Sequence, residues 1–201
     1  MPDRPLDLHL ASTSPRRREL LAAAGLMFDL CTPGPEYADG GGDHDHGEVG
    51  DPVALSVARA ERKARGAQAA DPRVPVLGVD TVVDLDGEEL GKPLDRSAAA
   101  AMLQRLAGRD HRVHTAHCLV SLADGRCAAE LATAVVSCRQ PTAAELARYL
   151  DGGEWRGKAG GYGIQDGTQS FLTLRSGSFD TVVGLHVAAV RRLLRSLGER
   201  A

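Results

Sequence analysis

Aromatic residues are scarce: Phe, Trp and Tyr together make up 3% of the 201 residues. A stacking platform for single-stranded nucleic acid needs several such rings, so that class is disfavoured from the outset. An excess of positive charge is also missing. The formal net charge is −3, whereas a general DNA-binding domain presents a basic face. No apolar run approaches the ~18 residues of a membrane-spanning helix. The N-terminal Met1-Pro2-Asp3-Arg4-Pro5 carries no apolar segment of the kind a secretory signal needs. The four cysteines, Cys31, Cys118, Cys127 and Cys138, form no Cys-x-x-Cys pair. Three of them, Cys118, Cys127 and Cys138, lie in apolar, strand-like runs and are expected to be buried thiols. The expectation is a cytoplasmic protein that binds neither membrane nor nucleic acid.

What is present is ordinary globular material, with 43% hydrophobic and 25% charged residues. The length suffices for one domain over residues 1–201 with a sizeable core. Leu6, Leu8 and Leu10 alternate with polar residues and predict a first strand. Ser14-Pro15 then reads as an N-cap followed by a proline at the first helical position, opening a helix that stops near Gly25. A second short strand is predicted over 27–31, and a long Gly- and Asp-rich loop over 32–50. Asp51-Pro52 repeats the cap-plus-proline signature and opens a helix to about Ala70. An apolar β run over 74–85 turns at Asp86-Gly87 into a hairpin through Leu90. A helix follows over 95–107, and then two β runs over 112–122 and 127–138, joined by Ala123-Asp124-Gly125. A short helix at 142–150, brief strands at 171–174 and 179–183, and a closing helix over 185–197 complete an α/β pattern with a mixed sheet.

Several stretches carry chemistry. The turn Ser12-Thr13-Ser14 precedes a helix whose first turn holds Arg16, Arg17 and Arg18. Cations there oppose the helix dipole, but free N–H groups, hydroxyls and guanidinium forks at one point suit a polyphosphate. Arg18 is expected to face solvent. In Gly78-Val79-Asp80-Thr81-Val82-Val83-Asp84, alternation puts Asp80 and Asp84 on one face and Thr81 and Val83 on the other. Asp84, near the turn, is expected to be solvated. Asp80 is deeper, and a carboxylate in an apolar strand must be paired, protonated or metal-bound. Lys158-Ala159-Gly160-Gly161-Tyr162-Gly163-Ile164-Gln165 combines close backbone approach with an amide able to read a base edge. Asp43-His44-Asp45-His46 looks like a metal cluster, but its glycine-rich surroundings favour a solvated acidic loop. His111, His114 and His117 are three apart, so a strand splits them across both faces and they cannot converge as ligands.

Taken together, Ala11-Ser12-Thr13-Ser14-Pro15-Arg16-Arg17, Gly78-Val79-Asp80-Thr81-Val82-Val83, Gly91-Lys92-Pro93 and the Lys158 to Gln165 run resemble the Maf family. Its members are nucleoside triphosphate pyrophosphatases, also described as septum formation inhibitors. The resemblance covers about 8–197, with the motifs in the family's order. It implies an elongated α/β fold with a mixed β-sheet, flanking helices and two lobes around a central cleft, shared with the inosine triphosphate pyrophosphatases. It also implies hydrolysis of a nucleoside triphosphate to monophosphate and pyrophosphate with a divalent cation, Mg or Mn, and allows a homodimer. By motif position Asp80 matches the proton acceptor and, with Glu36, the metal site; Arg16, Thr81 and Gln165 match positions tied to substrate choice. Ser12, Ser14, Arg17, Lys63, Lys92 and Lys158 match polar positions lining the cleft. The Arg–Thr–Gln set resembles the branch acting on dTTP and UTP. The branch acting on 7-methyl-GTP tends to carry Asp-Gln where this chain has Asp80-Thr81. The same chemistry on modified nucleotides, or a nucleotide-binding regulator of cell division, stands as the alternative.

Overall fold

The computed structural model describes residues 5–36, 50–167 and 169–198. The Asp43 to His46 cluster, with most of the long acidic loop, lies outside them. Strands β1 (Leu8–Ala11), β2 (Phe28–Cys31), β3 (Val76–Leu85), β4 (Glu88–Leu90), β5 (Arg109–Val120), β6 (Cys127–Cys138) and β7 (Leu172–Ser176) form one mixed sheet. Its order is β2-β1-β3-β5-β6-β7, with β4 also beside β3. β1 runs parallel to β2 and β3, and every other pairing is antiparallel. Six helices flank it among the described residues: α1 (Pro15–Ala23), α2 (Pro52–Arg65), α3 (Arg96–Leu106), α4 (Ala143–Gly152), α5 (Phe179–Val183) and α6 (Val187–Gly198).

The pairing of β3 decides where a ligand can enter. One edge of β3 is occupied by β5 from Val76 to Asp84. The other edge is shared: β1 pairs with Val76, Leu77 and Gly78, and β4 pairs with Val83, Asp84 and Leu85. Residues 79–82 therefore have no strand partner on that edge among the described residues, and the sheet is notched there. Beyond the notch lies a core built on Val83, Leu85, Leu90, Leu103, Tyr149 and Phe171. Before it, Leu8, Leu10, Leu21, Leu77, Leu119 and Val190 pack on one side of the sheet. Ala60 and Ala64 of α2 pack against Val76, Ala116 and Cys118 on the other. These cores are the two expected lobes.

Contact between α2 and β3 is unusually close. A Cβ on Gly78 would lie 2.1 Å from the Ala60 carbonyl oxygen and 2.7 Å from the Ala64 nitrogen. Only glycine lets the helix seat this deeply, and the seating brings Lys63 to the strand. A Cβ on Gly34 would likewise meet the Arg62 carbonyl oxygen at 2.4 Å, so the chain leading to Glu36 is pressed against the end of α2.

Four expectations need correction. α2 ends at Arg65 rather than near Ala70, because the Gln68 N–H donates to the Thr32 carbonyl at 3.0 Å and draws the chain into a bridge. Residues 179–183 form α5, not a strand. The Asp180 carboxylate there accepts from the Val187 N–H at 2.9 Å, from Ser178 and from His186, winding the segment into the start of α6. Asp84 is buried instead of solvated: it accepts from the Gly87 N–H at 2.7 Å and faces His114 Nε2 at 3.2 Å. Cys127 is exposed, since the odd-numbered residues at that end of β6 face solvent, whereas Cys118 and Cys138 are buried as expected.

The three histidines of β5 do not converge. His111 pairs with the Tyr162 hydroxyl at 2.6 Å and His114 with Asp84 and Thr133; His117 Nε2 accepts from the His186 N–H at 2.9 Å. Burial pushes His111 down to about 4, against a smaller opposing influence of Asp110. Burial does the same to His117, which also falls to about 4. Both are held neutral when folded, while the unfolded chain takes up protons below about 6.5. Stability is therefore complete above about pH 6.5 and is lost as pH falls through the window down to about 4, by about 2 kcal/mol per histidine at pH 5. Urea unfolding should show a lower midpoint at pH 5 than at pH 7, above the range where carboxylates protonate. Equal midpoints would contradict this.

Candidate functional site

The end of β1, the middle of β3 and the Gly-rich run converge on the notch. β1 ends at Ala11, opposite Gly78, so the turn Ser12-Thr13-Ser14 emerges beside residues 79–82. Ser14 takes the N-cap position of α1 and Pro15 follows it, as expected, but the Ser14 side chain makes no cap bond. The Ser14 N–H instead donates to Ser12 Oγ at 3.2 Å. Arg17 is the strut of this corner. It donates from Nη1 to Ser12 Oγ at 3.1 Å, from Nη2 to Thr81 Oγ1 at 3.2 Å and from Nε to the Gly184 carbonyl at 2.9 Å. Burial works against its charge, while Asp80 and Glu36 favour it. Thr81 in turn faces Thr115 Oγ1 at 3.1 Å, whose own hydrogen goes to the Thr181 carbonyl at 2.8 Å. This ladder fixes the wall made by Val182, Val183 and Gly184. Arg18 is exposed, as expected.

On the opposite face of β3, Lys63 Nζ lies 2.7 Å from Asp80 Oδ1 and 3.2 Å from Glu36 Oε1. The Lys63 and Asp80 side chains are only 10% and 5% exposed, so the pair is buried. Glu36 is held by its backbone: its carbonyl accepts from Arg62 Nη2 at 2.9 Å and Nε at 3.1 Å. Asp80 Oδ2 is buried and has no hydrogen-bond partner among the described residues. A buried carboxylate oxygen left unpaired costs free energy unless something outside the chain uses it.

The third wall comes from the Gly-rich run. Lys158 forms an ion pair with Asp166, whose Oδ2 accepts from the Tyr149 hydroxyl at 2.8 Å and from the Gly163 N–H at 2.9 Å. Gln165 is exposed to the cavity, and the Arg156 guanidinium stacks 4.8 Å above the Trp155 ring at its rim. The cleft holds about 640 Å³, a size suited to a nucleotide. All of the expected residues line it: Ser12, Ser14, Arg16, Arg17, Glu36, Lys63, Asp80, Thr81, Lys92, Lys158 and Gln165. Sequence reasoning missed Arg156 and Asp166. The one signal for Asp166 is its place directly after Gln165.

The donor set bears on a metal. Among the described residues no group of three or more His, Cys, Asp or Glu could hold an ion. Asp80 and Glu36 are two hard oxygen donors, one with an orphaned oxygen. Mg²⁺ typically takes one or two carboxylates and completes its shell with water and substrate phosphates. These residues fit a cation shared with a phosphate ligand.

A family model described as Maf-like protein matches residues 7–197. The chain belongs to the Maf family. It is 43% identical over 196 residues to a Bordetella avium protein named dTTP/UTP pyrophosphatase, covering 95% of each chain. A Burkholderia thailandensis protein of the same name is 41% identical over 193 residues, covering 94% of this chain and 92% of that relative. A third, from Deinococcus radiodurans, is 36% identical over 192 residues, covering 96% and 93% respectively.

The buried cluster makes a clear stability prediction for this Maf protein. Lys63→Met leaves the Asp80 carboxylate buried with neither oxygen paired and should cost about 3–5 kcal/mol in urea unfolding. Adding Asp80→Asn should restore much of that loss. A single variant within about 1 kcal/mol of the parent would contradict the pairing.

Proposed function

We propose that this Maf protein hydrolyses dTTP and UTP to the nucleoside monophosphate and pyrophosphate. The observation that carries the reading is the orphaned Oδ2 of Asp80, a residue lining a cavity whose other charged side chains are Glu36 and the six cations Arg16, Arg17, Lys63, Lys92, Arg156 and Lys158. The relatives' shared name supplies the substrate class. In this reading the triphosphate lies along the Ser12 to Ser14 turn and the N-terminus of α1, with Arg16, Lys92 and Lys158 neutralising its charge. Arg17 contributes charge and holds Ser12 and Thr81 in place.

Water attacks the α-phosphorus, the bond from that phosphorus to the α–β bridging oxygen breaks, and pyrophosphate leaves with that oxygen. Asp80 Oδ2 accepts the proton of the attacking water, while Oδ1 stays on Lys63. Asp80 and Glu36 would hold a divalent cation, Mg or Mn, which supplies charge neutralisation at the phosphates. Catalysis of this kind is mainly positioning and electrostatic stabilisation, so one base among several cations suffices. Gln165 reads the pyrimidine edge.

Among the described residues no helix is long and apolar enough to cross a membrane. The net charge and few aromatics favour free nucleotides over nucleic acid. We place the enzyme in the cytoplasm, and the family resemblance allows a homodimer.

Pyrophosphate release from purified protein should be fastest with dTTP and UTP across a panel of canonical and modified triphosphates. It should need Mg²⁺ or Mn²⁺ and stop with a chelator. Fast purine turnover beside negligible dTTP and UTP turnover would refute the pyrimidine assignment. Nucleotide binding without any turnover would favour the regulator.

A further inference from the structure

Among the described residues, every group within hydrogen-bond reach of the Asp166 carboxylate is a donor. Its side chain is 7% exposed. Oδ2 takes the Tyr149 hydroxyl and the Gly163 N–H, and Oδ1 takes the Lys158 ammonium and, at 3.4 Å, Gln165 Nε2. An ionised carboxylate only accepts, so whichever end of the Gln165 amide faces it must be the NH₂ end. One N–H is thereby committed to Asp166. The amide's other N–H and its carbonyl are left for a ligand, and Gln165 lines the cavity.

We infer that Asp166 is a specificity-determining positioning residue: by fixing the sense of the Gln165 amide it selects uracil and thymine over cytosine. The inference rests on the proposed reading of Gln165 as the base-contacting residue. A uracil or thymine edge presents the O4 acceptor beside the N3–H donor. It meets an amide N–H followed by a carbonyl with two hydrogen bonds. Cytosine presents the N4 donor beside the N3 acceptor, the reverse order. On the same amide it would set donor against donor and acceptor against acceptor. A free glutamine would accommodate cytosine by turning its amide over; beside Asp166 that turn points carbonyl at carboxylate.

Asp166→Asn tests this because it is nearly isosteric and changes only the donor pattern. The Gly163 N–H can only donate, so the new side chain keeps its oxygen toward Gly163 and Tyr149. Its NH₂ then faces Lys158 and Gln165, and the Gln165 carbonyl turns toward it. The ratio of kcat/KM for UTP to that for CTP should fall at least tenfold. Loosening of Lys158 affects both triphosphates alike and cancels in the ratio. In a Gln165→Ala background, Asp166→Asn should change the ratio no further.

An unchanged ratio in the single variant, or an equal fall without Gln165, would overturn the inference. Wild type that prefers UTP over CTP while Asp166→Asn keeps that preference sinks this inference and leaves the proposed function standing. Wild type that turns over neither dTTP nor UTP removes both. Should Asp166→Asn fail to fold by circular dichroism, Asp166→Ser also removes the obligate acceptor, and the same fall in the ratio is expected.

Discussion

The ion pair between Lys63 and Asp80 is the interaction on which the rest of the site depends. A carboxylate within an apolar strand is unfavourable alone, and a buried ammonium is no better. Together, at 2.7 Å, they make each other tolerable. The pairing exists only because Gly78 lets α2 press its backbone onto β3 and because α2 carries Lys63 on that face. Net stabilisation from such a pair is small, since desolvation offsets most of the attraction. Its consequence is positional: one Asp80 oxygen is fixed, and the other is left buried without a partner among the described residues.

The notch in the sheet turns that position into a site. β1 and β4 share one edge of β3 and leave residues 79–82 between them, so adjacent residues on opposite faces of one strand serve one cavity. Asp80 meets Lys63 and Glu36 on the α2 side. Thr81 meets Arg17 and Thr115 on the other, and through them fixes the wall before α6. In the Ser12 to Arg17 turn, guanidinium charge unfavourable to the helix dipole is partly spent on protein oxygens.

Much of this was legible in the sequence where the signal was local. Cap-plus-proline signatures marked the starts of α1 and α2, alternation marked β3, and the turn after Leu85 marked the β3–β4 hairpin. Asp80 stood out because a charged residue interrupted an apolar run. What depended on partners distant in sequence was hidden. Asp84 is buried because His114, thirty positions on, lies across the β3–β5 pairing. The helix at 179–183 looked like a strand because Thr181, Val182 and Val183 are β-branched, and its winding is set by Asp180 reaching forward to Val187. Asp166 was hidden because its partners Tyr149 and Lys158 lie seventeen and eight positions earlier in the chain, beyond the reach of a local pattern. The notch itself follows from two strands pairing on one edge, which no local pattern records.

The central claim is that the unpaired oxygen of Asp80 is the base that activates water. Asp80→Asn keeps the shape and removes the basicity. Pyrophosphate release from dTTP should fall on the order of 10³-fold, while dTTP with Mg²⁺ still raises the melting temperature of the variant, showing that the cavity is intact and occupied. Turnover near the wild-type rate in a folded, nucleotide-binding Asp80→Asn protein would contradict the account.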